Sequence, residues 1–595
     1  MSGANSLDLQ AFSPDDMATR IVSVYEEWDN ANEKAKKRWE EVRAYKYATS
    51  TMETSNAGVG GFSSDPSAKQ GWSHSTHIPK ICQISDNLNA NYYSALFSVE
   101  KWVEFQGMDR AAVVKDKREA VEAYILTKCR INNFKNEIRK CLDDWGETGN
   151  CFGTAHYQNQ VFVDPDTGEK SVAYQGPVFS RISPYDIVFN PLATSFERSP
   201  KILCSIMTIG ELLREVEDNP EKGYLQEAVT KAKDLRAYTL TAKDRYINKF
   251  IHIEVGGYGS AYDYLKSGHV EILDFYGDFY NDATGEFLKN HVITVLDRRW
   301  ILRSEPIKSY DGTPYIYHCG WRNRSESLWA MGPLENLIGM QYMINHLQNT
   351  KADAFDEFVV PTVVTAGDVT QSGEKFGGLL AQSYHIDGAD GSVNFLRPDA
   401  SFLQANMDIQ YLEALMEMYA GSPREAMGIR TPGEKTAFEV EQLSNAAYRI
   451  FQHKIEYFSE QFMEKAVNGM VEVARRNISG EDIVQTTDDD FGAQKFITVT
   501  KEDLKSNGRI VPVGARHHAE KARLAQTLGV MNQQMDPEMR MHISSIDMAH
   551  AMVAATDTAK LLPVKPYIRL SEQQQAQALN NQMTEDRMVA ESEPL

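Results

Sequence analysis

Between Gly332 and Asn477 the chain sets out five segments in a fixed order, and that order constrains the fold more than any other feature. A helix opens at Gly332-Pro333 and is expected to run to about Phe358. An irregular, β-prone stretch follows from Val359 to Asp399. A second helix spans about Ser401 to Ala420. A loop punctuated by Gly and Pro then covers Gly421 to Gly433, and one very long helix runs from about Glu434 to Arg476.

Each segment has a local physical basis. Pro333 sits at a helix opening, where its missing N–H costs nothing. Leu337, Met340, Ile344 and Leu347 fall on one stripe of the first helix, and Asn345, Gln348 and Lys351 are expected on the opposite, wet side. Val359-Val360-Pro361 ends the helix. The second helix is expected to bury Leu403, Met407, Leu412, Leu415 and Met418 or Tyr419, and it stops at Gly421-Ser-Pro423. Two helices of similar length suggest an up-and-down pair with an excursion at the far end. Thr431-Pro432-Gly433-Glu434 reads as a capping box for the long helix. Its proline-free length corresponds to roughly 65 Å at 1.5 Å per residue. Phe438, Leu443, Ala447, Ile450, Phe451, Ile455, Phe458, Phe462, Met470 and Val473 drift around that helix, so a strict coiled coil is disfavoured.

The flanking regions differ in period. Residues before about 150 read as helix, at about Ser13–Tyr47, Ile81–Val103 and Lys115–Trp145, with a Gly/Ser-rich loop at Thr51–Ser75. Residues 152–320 read as antiparallel strands. Gln160–Val163 and Ser171–Tyr174 flank the turn Asp164–Glu169; Val270–Tyr276, His291–Val295 and Trp300–Leu302 make a meander with turns at Asp282–Gly285 and Asp297-Arg298. A helical insertion at about Ile209–Ala237 interrupts them. After the long helix come short strands at Lys495–Thr500 and Arg509–Val513, helices at about 517–532 and 537–555, and a Gln-rich polar tail after Ser571. The class expected is α+β.

Composition narrows the function. The chain has 595 residues, enough for several domains, with 42% hydrophobic and 24% charged residues, ordinary values for a folded protein. No apolar run approaches the roughly 18–20 residues that span a bilayer. The start, Met1 to Asp8, has neither a basic stretch nor an apolar core, so no signal peptide is read there and a cytoplasmic origin is expected. No two of the six cysteines form a Cys-x-x-Cys pair, and free thiols are expected. A formal charge of −21 argues against a protein that coats DNA, since a coat neutralises phosphates with Lys and Arg. It is compatible with a wall past which DNA slides, or with a role in solubility alone.

Motifs for chemistry are weak. Gly428 to Thr436 comes within one residue of a phosphate-binding P-loop, but Glu434 intrudes and a helix precedes it where a strand is needed. His74-Ser-Thr-His77 and His517-His518 lack a convincing third metal ligand. Asp164-x-Asp166-x-Gly168 lacks the glycine and glutamate of a calcium loop, and Asp488-Asp-Asp490 reads as a solvated turn. No hydrolase or zinc-protease motif occurs. Neither a catalytic site, a metal nor a cofactor is expected.

The order of elements, with Trp329-Ala-Met-Gly-Pro-Leu-Glu-Asn-Leu337 before the first helix and Met427-Gly-Ile-Arg-Thr-Pro-Gly-Glu-Lys-Thr-Ala437 before the long one, resembles the portal proteins of tailed phages, of the podovirus type. The resemblance covers about residues 80–560 by order and 265–480 by wording. It implies a wing over 1–330, a first stem helix over 331–358, a clip over 359–399, a second stem helix over 401–420 and a tunnel loop over 421–433. A spine helix with remaining wing strands would fill 434–534, and a crown and tail 535–595. Asn345, Gln348 and Lys351 would belong to the stem, and Val359, Pro361, Phe376 and Phe395 to the clip. Arg424, Glu425, Arg430, Thr431 and Lys435 would face DNA, although the loop arginines could equally pair with neighbouring acids. The resemblance implies a non-enzymatic ring, expected as a dodecamer, around double-stranded DNA at one capsid vertex. Its partners would be the terminase large subunit, the major capsid and scaffold proteins, and a head-completion or tail adaptor protein, with no membrane. It would be assembled in the host cytoplasm and retained in the virion. The competing readings are a P-loop packaging ATPase and a scaffold or minor capsid protein without a channel.

Overall fold

The structure is a computed structural model that describes residues 15–47, 76–99, 101–107, 115–163, 170–190, 192–218, 222–241, 261–281, 285–309, 312–324, 327–359, 362–366, 383–386, 392–396, 404–420, 451–478, 480–487, 494–505 and 508–514. Residues Met1–Phe97 and Lys101–Pro512 belong to one compact unit; Ser98–Glu100 and Val513–Leu595 belong to a second. In the second, the Ser98 hydroxyl donates to the Gly514 carbonyl at 3.1 Å. The expected helices at 517–532 and 537–555, the crown and the tail lie outside the described residues.

The fold is α+β. Helix α1 (Asp16–Lys46) and helix α2 (Lys80–Leu96) open it. The helix expected to reach Val103 stops at Leu96, and strand β1 (Val103–Gly107) takes over. Its alternating Val103, Glu104 and Phe105 suit a half-buried strand, and it pairs antiparallel with the distant Gly508–Pro512. The helix expected at 115–145 is two, α3 (Lys115–Ile131) and α4 (Phe134–Glu147). Asn133 breaks them with φ of 53°, a left-handed conformation that asparagine tolerates better than most residues.

The hairpin around Asp164–Glu169 is longer than its turn chemistry alone suggested. Strands β2 (Asn150–Val163) and β3 (Lys170–Ile182) pair along their length, and β9 (Ile316–Gly320) joins the other edge of β2. The meander is a five-stranded antiparallel sheet: β4 (Ile187–Phe189), β5 (Lys201–Thr208), β6 (His269–Asn281), β7 (Glu286–Leu296) and β8 (Trp300–Pro306). The insertion between β5 and β6 carries α5 (Ile209–Asp218), α6 (Gln226–Thr241) and α7 (Ala261–Lys266). These helices cover one region of the sheet through Leu212, Ala232, Leu235 and Tyr264, which pack with Trp300 of β8. Helix α1 covers another through Ile21 and Tyr25, which pack with Leu273, Phe275 and Ile293.

The β7–β8 turn falls at Asp297-Arg298, as its sequence suggested. Both residues have positive φ, 51° and 56°, the twist favoured in tight hairpins. The Asp297 carboxylate is fully buried. It accepts from both terminal nitrogens of Arg236, at 2.6 and 3.0 Å, and from the Tyr264 hydroxyl at 2.8 Å. These bonds satisfy a charge whose isolated burial would be prohibitive.

Short hairpin strands β10 (Arg322–Arg324) and β11 (Ser327–Met331) lead to α8 (Ile338–Val359), preceded by one 3-10 turn at Glu335–Leu337. The stretch after α8 folds in part into a three-stranded sheet of β12 (Thr362–Ala366), β13 (Ser383–Ile386) and β14 (Ser392–Leu396). Strand β12 lies in the middle, parallel to β13 and antiparallel to β14. Helix α9 (Ala405–Ala420) follows. Of the long helix, residues 451–477 are described. They are helical throughout, with a π turn at Ser459–Met463 before α10 (Glu464–Asn477). Its start and capping box lie outside the described residues. Strands β15 (Asp482–Thr487) and β16 (Gln494–Val499) form a ribbon, and β17 (Gly508–Pro512) completes the pair with β1.

An aromatic cluster fixes the long helix. Phe451 stacks on Tyr92 with centroids 4.8 Å apart, Phe458 lies 4.9 Å from Trp145, and Trp145 lies 4.4 Å from Trp321. Such pairs stabilise by about 0.5–1.5 kcal/mol each beyond the area they bury.

Candidate functional site

The helix pair α8 and α9, with the small sheet between them, presents the densest group of exposed large apolar side chains among the described residues. Lys351 of α8 donates to Asn406, near the start of α9, at 2.7 Å. Near the other end, Gln341 of α8 and Glu417 of α9 both reach residues 80–81. The two helices therefore run antiparallel, as the up-and-down reading required.

Three amides four residues apart dock α8 against the segment before α2. The Thr76 N–H donates to Asn349 Oδ1 at 2.7 Å, Ile78 N–H to Asn345 Oδ1 at 3.2 Å, and Ile81 N–H to Gln341 Oε1 at 3.2 Å. Gln341 Nε2 donates in return to the Ile78 carbonyl at 2.6 Å and to Asn345 Oδ1 at 3.0 Å. The Ile81 N–H is one of the first-turn donors of α2 that have no partner within the helix, and the Thr76 and Ile78 N–H groups belong to the lead-in before it. Asn345 Nδ2 faces His77 Nδ1 at 2.9 Å, and His77 Nε2 lies 3.0 Å from the Tyr45 carbonyl. Burial pushes the His77 imidazole below its usual pKa.

Helix α9 is fastened to the same segment by charge. Lys80 Nζ lies 2.5 Å from Glu417 Oε1 and donates to Gln83 Oε1 at 2.9 Å, with both ends of the ion pair buried. One short stretch, Thr76–Ile81, therefore grips both helices.

An exposed apolar stripe runs along α9. Met407 (68% exposed), Tyr411 (65%) and Met418 (59%) recur at helical spacing along α9, with Tyr419 beside them. On α8, Tyr342, Met343, Phe355, Phe358 and Val359 are exposed. Nine of the nineteen exposed large apolar side chains among the described residues sit on these two helices, a concentration beyond the scattered surface apolar residues of ordinary proteins.

Two expectations about this pair are corrected. Asn345 is buried where a wet position was expected, because the docking segment covers that face and satisfies its amide. Gln348 is half-buried and Lys351 half-buried at its Asn406 contact. On α9 the inward face carries Ile409, Met416, Glu417 and Ala420, so Met407, Met418 and Tyr419 point outward. The apolar pattern alone could not tell the two faces apart, because both are apolar.

The remaining site residues divide cleanly. Val359 is the exposed last residue of α8. Phe395 lies on β14, in register with Val363. Pro361, Phe376, Arg424, Glu425, Arg430, Thr431 and Lys435 lie outside the described residues, as do His74, the P-loop-like stretch, Asp164–Glu169, Asp488–Asp490 and His517-His518. His77 is held by hydrogen bonds, and no group of three or more potential metal ligands occurs among the described residues. Sequence reasoning passed over Gln341, Asn349, Lys80 and Glu417. The spacing of Gln341, Asn345 and Asn349, four apart on one helix face, is the signal that could have found the amide ladder.

A concavity of about 310 Å³ lies among Glu197, Tyr317, His318 and Lys465. Its charges are spent on one another: Lys465 pairs with Glu197 at 2.6 Å, and His318 Nε2 lies 3.1 Å from Asn150 Oδ1. Behind it Lys201 donates to the Phe196 carbonyl at 2.7 Å. Burial lowers the Lys201 ammonium to about 7, and burial with Lys201 and Lys465 nearby lowers His318 to about 3. Among the described residues no helix is long and apolar enough to cross a membrane. No family model matches the sequence, and no curated protein matches it.

Proposed function

We propose that the chain is a portal protein of a tailed phage, a ring-forming, non-enzymatic subunit of the channel through which DNA enters and leaves a capsid. The observation that carries this reading is the outward apolar face of the α8–α9 pair, with Met407, Tyr411 and Met418 exposed along one stripe. Such a surface calls for a protein partner, and a ring supplies one by repeating a single head-to-tail contact until it closes.

The arrangement around the pair supports the same reading. Two antiparallel helices joined through a small sheet correspond in order to stem, clip and stem. The long helix with its aromatic anchor corresponds to the spine. The mechanism proposed is passive: a separate ATPase, the terminase large subunit, docks on the clip and drives double-stranded DNA through the channel. The loop of residues 421–433, with Arg424, Glu425, Arg430, Thr431 and Lys435 in and beside it, would meet the DNA. Capsid and scaffold proteins would surround the wing, and a tail adaptor would later replace the motor.

The deciding experiment is native mass with end-on electron microscopy of the purified chain. Twelve copies of 67.1 kDa come to about 805 kDa, and closed rings with a central hole are expected. A monodisperse monomer or dimer with no rings at high concentration would overturn the proposal.

A further inference from the structure

Strands β2 and β9 set two cysteines directly opposite each other. Cys151 is in register with Cys319, 168 residues away in the chain. The Trp321 N–H donates to the Gly149 carbonyl at 2.8 Å and the Ala155 N–H to the Tyr315 carbonyl at 3.0 Å. These bonds fix the alternation of the ladder, so Cys151 and Cys319 occupy a hydrogen-bonded position, where opposed Cα atoms are about 5.5 Å apart. That separation lies inside the range a disulfide spans. Opposed residues of a sheet project from the same face. The Cys151 thiol donates to the Cys319 carbonyl at 3.4 Å, which places its sulfur against the opposed cysteine.

We propose that Cys151 and Cys319 are a redox-responsive pair that closes an intrachain disulfide between β2 and β9 when the protein meets a low-molecular-weight disulfide. The inference is independent of the portal reading. One cysteine thiolate attacks the external disulfide, forming a mixed disulfide and releasing one external thiol. The second cysteine thiolate then attacks the protein-bound sulfur and releases the other. Two protein S–H bonds and the external S–S bond are lost; one protein S–S bond and two external S–H bonds are gained. Two electrons pass from the cysteines to the external disulfide.

Both thiols are buried, and burial holds Cys151 in its protonated form, so closure is slow and waits on local opening. Strand β9 is the edge of its three-stranded sheet, which makes it the strand able to peel away. Once closed, the bond would tie β9 to β2 immediately ahead of the β10–β11 hairpin that leads into α8.

The test incubates the full chain with bis(2-hydroxyethyl) disulfide, below its melting temperature, until the half-buried Cys82 is fully modified. Remaining thiols are then trapped with N-ethylmaleimide and the chain is mapped without reduction. The expected result is a linked peptide pair containing Cys151 and Cys319, with a higher Tm for the oxidised protein. Both changes should vanish in Cys319→Ser and in Cys151→Ser. Recovery of Cys151 and Cys319 as maleimide adducts or separate mixed disulfides, or a link from Cys151 to Cys141, would overturn the proposal.

Discussion

The Lys80 ammonium and the Glu417 carboxylate lie 2.5 Å apart, both buried, and join the first turn of α2 to the last turn of α9. Removing one member of such a pair strands the other in a low-dielectric setting, which costs more than the pair itself contributes. Lys80→Met is therefore expected to destabilise the chain by about 3–5 kcal/mol, whereas Lys80→Met with Glu417→Leu should return close to the parent. Denaturant unfolding of the four proteins checks it. Equal losses in the single and double variants would remove the pair from the account.

Acid should weaken the fold through its half-buried histidines. Burial lowers His77, and it lowers His156 to about 4 and His318 to about 3, from an ordinary value of 6.5. A histidine whose folded pKa is depressed binds more protons unfolded than folded. Its contribution is intact above about 6.5 and is lost as pH falls through the lowered value. At His77 the geometry explains the cost: Asn345 Oδ1 accepts from Ile78 and Gln341, so Nδ2 must face His77 Nδ1, and a proton there would set donor against donor. Melting curves should fall from pH 7.5 to pH 5 more steeply for the parent than for His77→Gln. Identical slopes would rule out a role for His77.

Charges on the outer stripe of α9 should unmake the assembly and spare the subunit. Met407 and Tyr411 are exposed in the single chain, so Met407→Glu with Tyr411→Glu should change its own stability by no more than about 0.5 kcal/mol. The native mass is expected to fall to that of one 67.1 kDa chain with unchanged circular dichroism. Rings of full size from this variant would move the subunit contact elsewhere.

Gly469 on α10 lies against the ring of Tyr317 on β9, and a Cβ there would overlap the Tyr317 hydroxyl. Overpacking of this kind costs about 1–3 kcal/mol. Gly469→Ala should lose about that much stability, and adding Tyr317→Ala should relieve the overlap; a neutral single variant would mean that the Tyr317 ring swings aside.

The legible part of the fold was the part that local chemistry decides. The β6–β7–β8 meander follows from short β-prone apolar runs and from the Asp297-Arg298 turn, and α8 follows from its periodic apolar residues, although it opens at Ile338 and not, as expected, at Pro333. What escaped depends on partners far away in sequence. Strand β1 exists because Gly508–Pro512 lies beside it. Asn345 is buried because Thr76–Ile81 covers it. The break at Asn133 needs a left-handed residue that sequence permits without requiring. For the candidate site, the helix pair was readable but its polarity was not, since Leu412 and Met416 on one side of α9 resemble Met407 and Met418 on the other.

The π turn at Ser459–Met463 adds one residue to a helical turn, and an α-helix rotates by about 100° per residue. Over the described residues 451–477 the spacing of the apolar positions in sequence therefore changes phase at this one place. Upstream, Phe451 and Phe458 meet Tyr92 and Trp145; downstream, Gly469 meets Tyr317. Deleting a single residue within the turn would close it to an ordinary α-helical turn and leave both sets of contacts in phase. Length is thus slack at this one point: the turn takes up an extra residue without turning either half of the helix away from its partners.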